Sequence, residues 1–543
     1  YTRIFPEETQ LVSPETLITI KADLGELTKH SLTQNVNPKV YSWLLDSCIK
    51  IIKESFPIDW EDAFNSGYIY DINEYQSFLE TVIQSCSIVL ILYSNGLVDK
   101  IGKHEKGLSI ITDFILTFAG VCKRLFKTES FSELPDFFIP MLKSYMGMIN
   151  TLSVNLGTLL FNESLITRLE YISFDIIFAD MVYTKERFNI NVVLEELRAE
   201  FVEFLIGTYQ NYEDQRSFLF NEIIENFSTL NPLKSRFKNY RLRNGISVQL
   251  VSYMIVSFIQ CHTSYGNNFD FSKWEFLSIS HSSKATNLEL KEMNDCYWKS
   301  VEGQYQAMIR ATDNFVSTFL NKVMTTYTPS LRKIIENFIA DFLAMLELPE
   351  LASCSVLLNS MLSYSIHACK SSDTSLTSAH ALLFEIIGTI GSKLLQIKGD
   401  CELTELTDDT DLTSFKALRD HYYKVLYLLK YGKLKNDETY MHKYMCMLWL
   451  IKLKRLATNL NDLIAAKNSD LVGDHLRARK ALLEEVKRAL EYTICFDFSE
   501  KSELELDLLS QESVSKHYTF VLLSTQLFAR YNDILAFIMM SLN

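Results

Sequence analysis

Residues 216–261 read RSFLFNEIIENFSTLNPLKSRFKNYRLRNGISVQLVSYMIVSFIQC. The first part places Phe220, Ile223, Ile224, Phe227 and Leu230 on one helical face, with Asn221, Glu222 and Glu225 largely off it. The last part sets Val251, Met254, Ile255, Phe258 and Ile259 at i, i+3, i+4, i+7 and i+8, the spacing of an amphipathic helix. Between them, 231–245 carries five basic residues and no acidic one. Helix, basic loop, helix is therefore the local plan.

The same periodicity runs along most of the chain. Thr328-Pro329 reads as an N-cap followed by proline at the first helical position, ahead of a stripe of Ile334, Ile335, Phe338, Ile339 and Phe342. Ser13-Pro14-Glu15 repeats that start signal. Only 9 Pro and 17 Gly occur in 543 residues, against roughly 27 and 38 from average usage. So few turn-formers exclude an all-β protein of tight hairpins. The ten cysteines show no CxxC pair and read as reduced, mostly buried thiols. The stretch 81–98 is uncharged up to its end, but Ser, Gln and Asn interrupt its apolar run. A spanning helix needs about 20 predominantly apolar residues, so this reads as a buried helix, with no membrane partner expected. The chain opens on Tyr1 with no signal peptide, which reads as a piece of a longer protein.

Many helices of degenerate spacing with short polar links point to an all-α, irregular HEAT-type α-solenoid. A single compact core is disfavoured, because such cores stop growing near 250–300 residues. Composition divides the chain into a helical block 1–265 that includes the basic loop, a flexible Ser/Asn/Lys-rich insert 266–294, and a helical-repeat block 295–397. An acidic loop 398–413 and a last helical block 414–543 follow.

The whole chain has a formal net charge of −14, so the basic loop is conspicuous. Lys234, Arg236, Lys238, Arg241 and Arg243 alternate along an extended segment, which suits a sequence-independent contact with DNA phosphates. Phe237 and Tyr240 would anchor the loop to its helices. The same cations also fit a solvated loop, or one paired with acidic groups of this chain or a partner. A secondary basic track comprises Lys452, Lys454 and Arg455, then Arg477, Arg479 and Lys480, with Lys487 and Arg488 beyond. Such runs are usually a solvated helix face. The acidic stretches 402–411 and 497–505 read as solvated loops or as docking surfaces for basic partners. Asp409 and Asp411 lack the glycine and terminal glutamate of a calcium loop. His442 and Cys446 share a helix face, but no second pair completes a zinc site. Phosphate-loop, dinucleotide and hydrolase motifs are missing, and His104-Glu105 lacks the second histidine of a metalloprotease helix. No catalytic residue, cofactor or metal is expected.

The segment RSFLFNEI, then LNPLKSRFKNYRLRNG, then the helix Gln249 to Cys261 closely resembles the large subunit of the cohesin loader, the family called Nipped-B in animals and adherin in fungi. Further matches follow in the family's order: YQAMIRATDNFVSTFLNKV (305–323), LRKIIENFIADFLAMLELPE (331–350), SVLLNSMLSYSIH (355–367), ALLFEIIGTIGSKL (381–394), the region 416–450, and YTFVLLSTQLFARYNDILAFIMMSL (518–542). The first 200 residues match only loosely. Ser235 and Phe237 intervene among the basic residues, and Leu448-Trp449 stands where Gln-Trp is usual, which unsettles individual contacts. The resemblance implies a central, fungal-type fragment of a chromosome-associated nuclear protein that binds double-stranded DNA. It also implies partners: the cohesin ring, through its SMC ATPase heads and kleisin subunit, and the smaller loader subunit, through an N-terminal region absent here. Such a protein stimulates the SMC ATPase without being an enzyme. A HEAT-type nuclear-transport receptor or another helical scaffold is the rival reading, and an enzyme of unfamiliar type a more distant one.

Overall fold

In a computed structural model, the protein divides into two compact units, Tyr1–Leu230 and Asn231–Asn543. The structure describes residues 13–30, 32–33, 36–58, 72–96, 101–127, 138–159, 161–179, 188–227, 230, 240–242, 245–263, 284–345, 351, 353–371 and 381–390. The acidic loop 398–413 and the block 414–543 lie outside them.

The first unit contains α1 (Pro14–Lys29), α2 (Pro38–Glu54), α3 (Ile72–Ser94), α4 (Ile101–Lys127), α5 (Phe138–Asn155), α6 (Glu163–Ile177), α7 (Phe188–Asn211) and α8 (Arg216–Asn226). Their starts follow ordinary capping chemistry. Ser13 Oγ accepts from the Thr16 amide at 3.3 Å ahead of Pro14. Asn37 accepts from Lys39 ahead of Pro38, and Asn162 from Leu165.

Each helix packs on its second neighbour: α1, α3, α5 and α7 form one layer, and α2, α4 and α6 the other. The layers join where α2 meets α3 and α6 meets α7. That two-layer ladder is the arrangement of helical-repeat arrays, in which each pair buries its stripe against the next. Between layers lie fully buried rings such as Phe114, Phe118, Phe138 and Tyr145. Phe118 and Tyr145 are 4.7 Å apart, and the Tyr145 hydroxyl donates to the Ile115 carbonyl at 3.0 Å. Gly107 is required where α3 and α4 approach, because a side chain there would collide with the Tyr93 ring.

Helix α3 is the segment whose apolarity invites a membrane reading; Gln76–Ser94 is long and apolar enough to cross one. It is 78% buried, packed by α1, α2 and α5, and that burial accounts for its composition.

Arginines complete the helix ends. Arg198, on α7, donates to the carbonyls of Ile176 and Ala179 at the end of α6 and pairs with Glu195 at 3.2 Å. Arg216 donates to the Tyr209 carbonyl at 2.9 Å and lies over the Tyr209 ring. Cations there satisfy orphan carbonyls and oppose the negative end of the helix dipole. A carboxylate on α6 has no such compensation. Glu170 of α6 is fully buried, neither carboxylate oxygen has a hydrogen-bond partner, and burial pushes its pKa up to about 8. Cys48, Cys86, Cys122 and Cys354 are buried and unbridged, and burial raises all four thiols, Cys48 to about 12.

The second unit contains a short hairpin, β1 (Tyr240–Arg241) and β2 (Ser247–Val248), then α9 (Leu250–Gln260), α10 (Lys284–Thr325), α11 (Pro329–Met345), α12 (Ser353–Ser371) and α13 (Ala381–Ile390). Two boundaries read from composition move. Residues 284–294 are the first turns of α10 rather than part of an insert, since Leu, Glu, Lys, Ala and Met there favour a helix. The first unit ends at Leu230, not 265, because α9 packs on α10, α11 and α12.

The sequence pattern foresaw one apolar face on α9, yet every residue from Leu250 to Gln260 except Tyr253 is buried. A helix buried on nearly every face lies inside its fold, and α9 is packed by α10, α11 and α12. Helix α11 starts as its sequence predicts, with Thr328 Oγ1 accepting from Leu331 at 3.2 Å and its stripe buried.

Candidate nucleic-acid interface

Of the five cations in 231–245, the structure describes Arg241; Lys234, Arg236, Lys238 and Arg243 lie outside the described residues. So do Lys452, Lys454, Arg455, Arg477, Arg479 and Lys480, together with Asp409, Asp411, His442 and Cys446. Among the described residues no group of three or more His, Cys, Asp or Glu is arranged to hold a metal ion.

The end of the basic segment is not a simple extended loop. Tyr240 and Arg241 form a strand paired antiparallel with Ser247 and Val248, in the register Tyr240 with Val248 and Arg241 with Ser247. The turn closes through Leu242 N–H to the Ile246 carbonyl at 2.8 Å and Gly245 N–H to the Leu242 carbonyl at 2.9 Å. Gly245 has φ +84°, a left-handed conformation that glycine adopts without strain.

The hairpin is fastened on its inner side. Leu242 and Val248 are buried, and the Tyr240 ring stacks on Tyr253 of α9, with centroids 3.7 Å apart and planes 14° from parallel. Tyr240 thus anchors the segment to a helix as its sequence position implies. Arg241 is exposed, and its guanidinium reaches to 3.9 Å from where a Gly245 side chain would begin. A planar guanidinium on a fixed strand can meet a phosphate through two parallel hydrogen bonds.

A deeper feature escapes the sequence pattern. Asp341 of α11 is fully buried and accepts from the Gln249 amide at 3.0 Å and the Ser252 hydroxyl at 2.9 Å. Gln249 is the N-cap of α9 and makes no side-chain cap of its own. The first turn of α9 is therefore capped by a carboxylate from another helix, a charge that the helix dipole favours. At the other end, Gln260 Oε1 accepts from the Ser353 amide at 2.9 Å, and Ser353 Oγ donates to the Val256 carbonyl at 2.8 Å. The one signal in the sequence is an acidic residue inside an apolar stripe, between Phe338 and Phe342.

Fold and site define a class: an all-α protein of paired, layered helices that carries a basic segment ending in a pinned hairpin. The chain matches no family model. It is 22% identical over 208 residues to Nipped-B-like protein B of Danio rerio, covering 37% of this chain and 7% of that protein. It is 25% identical over 262 residues to sister chromatid cohesion protein mis4 of Schizosaccharomyces pombe, covering 47% and 16%. Nipped-B-like protein of Homo sapiens is 23% identical over 210 residues, covering 37% and 7%. In fold, the chain is similar along 98% of its length to a C-terminal fragment of the Chaetomium thermophilum cohesin loader SCC2, with a TM-score of 0.62, 14% identity and 41% of that fragment covered. The Nipped-B and Mis4 proteins are homologues of this chain, which spans only a small part of their length.

Proposed function

We propose that this chain is the helical scaffold of a chromosome-bound cohesin-loading factor. The observation that carries this reading is the agreement of two likenesses, one in sequence and one in fold. Its sequence relatives are Nipped-B and Mis4 proteins, and its fold follows a cohesin loader fragment along 98% of the chain. In this reading Lys234, Arg236, Lys238, Arg241 and Arg243 meet the phosphates of double-stranded DNA, and Lys452, Lys454, Arg455, Arg477, Arg479 and Lys480 extend the track. The layered helices hold the cohesin ring through its SMC ATPase heads and kleisin subunit, while the smaller loader subunit joins through a region outside this chain. The factor works in the nucleus and is not an enzyme; it stimulates ATP hydrolysis by the SMC subunits.

The test is ATP hydrolysis by purified cohesin with duplex DNA, with and without the protein, repeated with all five loop cations reversed to glutamate. Stimulation by the wild type that drops several-fold in the variant is expected. Hydrolysis unchanged by the wild-type protein would sink the loading role. Undiminished duplex binding by the variant would remove the loop from the interface and leave the loading role to be judged by the first result.

A further inference from the structure

We propose that Asp341 is the positioning residue of the basic hairpin: from inside the second unit it fixes where Arg241 is presented. This rests on the reading of 231–245 as a DNA contact. Asp341 cannot itself meet nucleic acid, being anionic and fully buried. Two of its bonds fall on Gln249 and Ser252, and Gln249 directly follows β2. Val248, the last residue of β2, pairs with Tyr240, and Tyr240 stacks on Tyr253 one turn beyond the clamped Gln249. Carboxylate, helix start and hairpin thus form one continuous chain of contacts that ends at an exposed arginine.

The chemistry explains why a carboxylate is used here. A two-residue strand pair is too short to hold its own orientation. Gln249 supplies no local cap, so the first turn of α9 would otherwise fray and carry the hairpin with it. An anion at that position satisfies a free amide and a hydroxyl together, and it sits at the positive end of the helix dipole. Its own helix is locked independently: Thr328 caps α11, and Arg332 pairs with Glu385 of α13 at 2.8 Å.

Asp341→Asn keeps the shape and removes the charge. Ser252→Ala removes the hydroxyl bond to Asp341, and Ser353→Ala breaks the bond to Val256 at the opposite end of the same helix as a control. Each full-length variant is measured for melting temperature, for hydrogen exchange of the Leu242 and Gly245 amides, and for binding to a duplex at several salt concentrations. Asp341→Asn should speed exchange at both amides, weaken duplex binding by roughly three- to ten-fold and flatten the log–log salt slope by about 1, the loss of one phosphate contact. Ser252→Ala should do the same more weakly. Ser353→Ala should leave exchange and salt slope unchanged whatever it does to melting. Equal effects of Asp341→Asn and Ser353→Ala, or unchanged hairpin exchange in Asp341→Asn, would overturn the proposal. The exchange measurement needs no DNA, so it judges the anchor even if reversing the loop cations shows that 231–245 makes no DNA contact.

Discussion

At the scale of single residues, two buried carboxylates show how the same group can serve opposite ends. Asp341 is taken up by an amide and a hydroxyl at a helix start. Glu170 is buried with nothing to receive its charge, and its pKa rises from 4.5 to about 8. Below about pH 4.5 Glu170 is neutral folded or unfolded, and titration costs nothing. Above that the unfolded chain ionises while the folded one holds its proton, so stability falls as pH rises and levels off beyond pH 8. Glu170→Met should remove that alkaline loss, gaining on the order of 1–3 kcal/mol at pH 8.5 and much less at pH 5, read from denaturant midpoints. Parallel pH profiles for the two proteins would refute it. Both carboxylates stand in the sequence as acidic interruptions of apolar stripes, and periodicity treats them alike. Only the helix packed opposite decides which finds a partner, and that information is tertiary.

At the scale of elements, helix starts are the most legible part of the chain. Ser13-Pro14 and Thr328-Pro329 cap α1 and α11 because a short polar side chain and a preset φ act within four residues. Thr328→Ala should cost about 1 kcal/mol, measurable by chemical denaturation; no loss would mean that the tertiary packing of α11 already holds its first turn. The stripes on α8 and α11 were equally readable. The pattern gives α9 one apolar face, yet all of it but Tyr253 is buried, since how many neighbours pack on a helix is not a local property. The hairpin left almost no trace, because two-residue strands have no period and the basic side chains dominate 231–245. Its one local mark is Gly245. Gly245→Ala places a methyl-bearing residue at φ +84°, which should cost about 1 kcal/mol locally. Faster exchange at the Leu242 amide with an unchanged global melt is the expected signature, and unchanged exchange would show that the turn relaxes without strain.

At the scale of the whole molecule, a chain of net charge −14 repels DNA except where its cations are gathered. If all five loop cations meet phosphates, the logarithm of the duplex binding constant should fall with the logarithm of salt at a slope of about −4 to −5. A slope near zero would assign the segment to a protein partner instead. The two units also differ in how their contacts span the chain. In the first unit each helix packs on its second neighbour, so pairs can settle in the order in which they leave the ribosome. The cap on α9 obeys a different clock. Its donor at Gln249 waits for an acceptor 92 residues downstream, and at about 5–20 residues per second that is a delay of several seconds during synthesis. Throughout that interval the hairpin that carries Arg241 lacks its anchor, so the surface proposed to hold DNA takes its bearing only after α11 has been made.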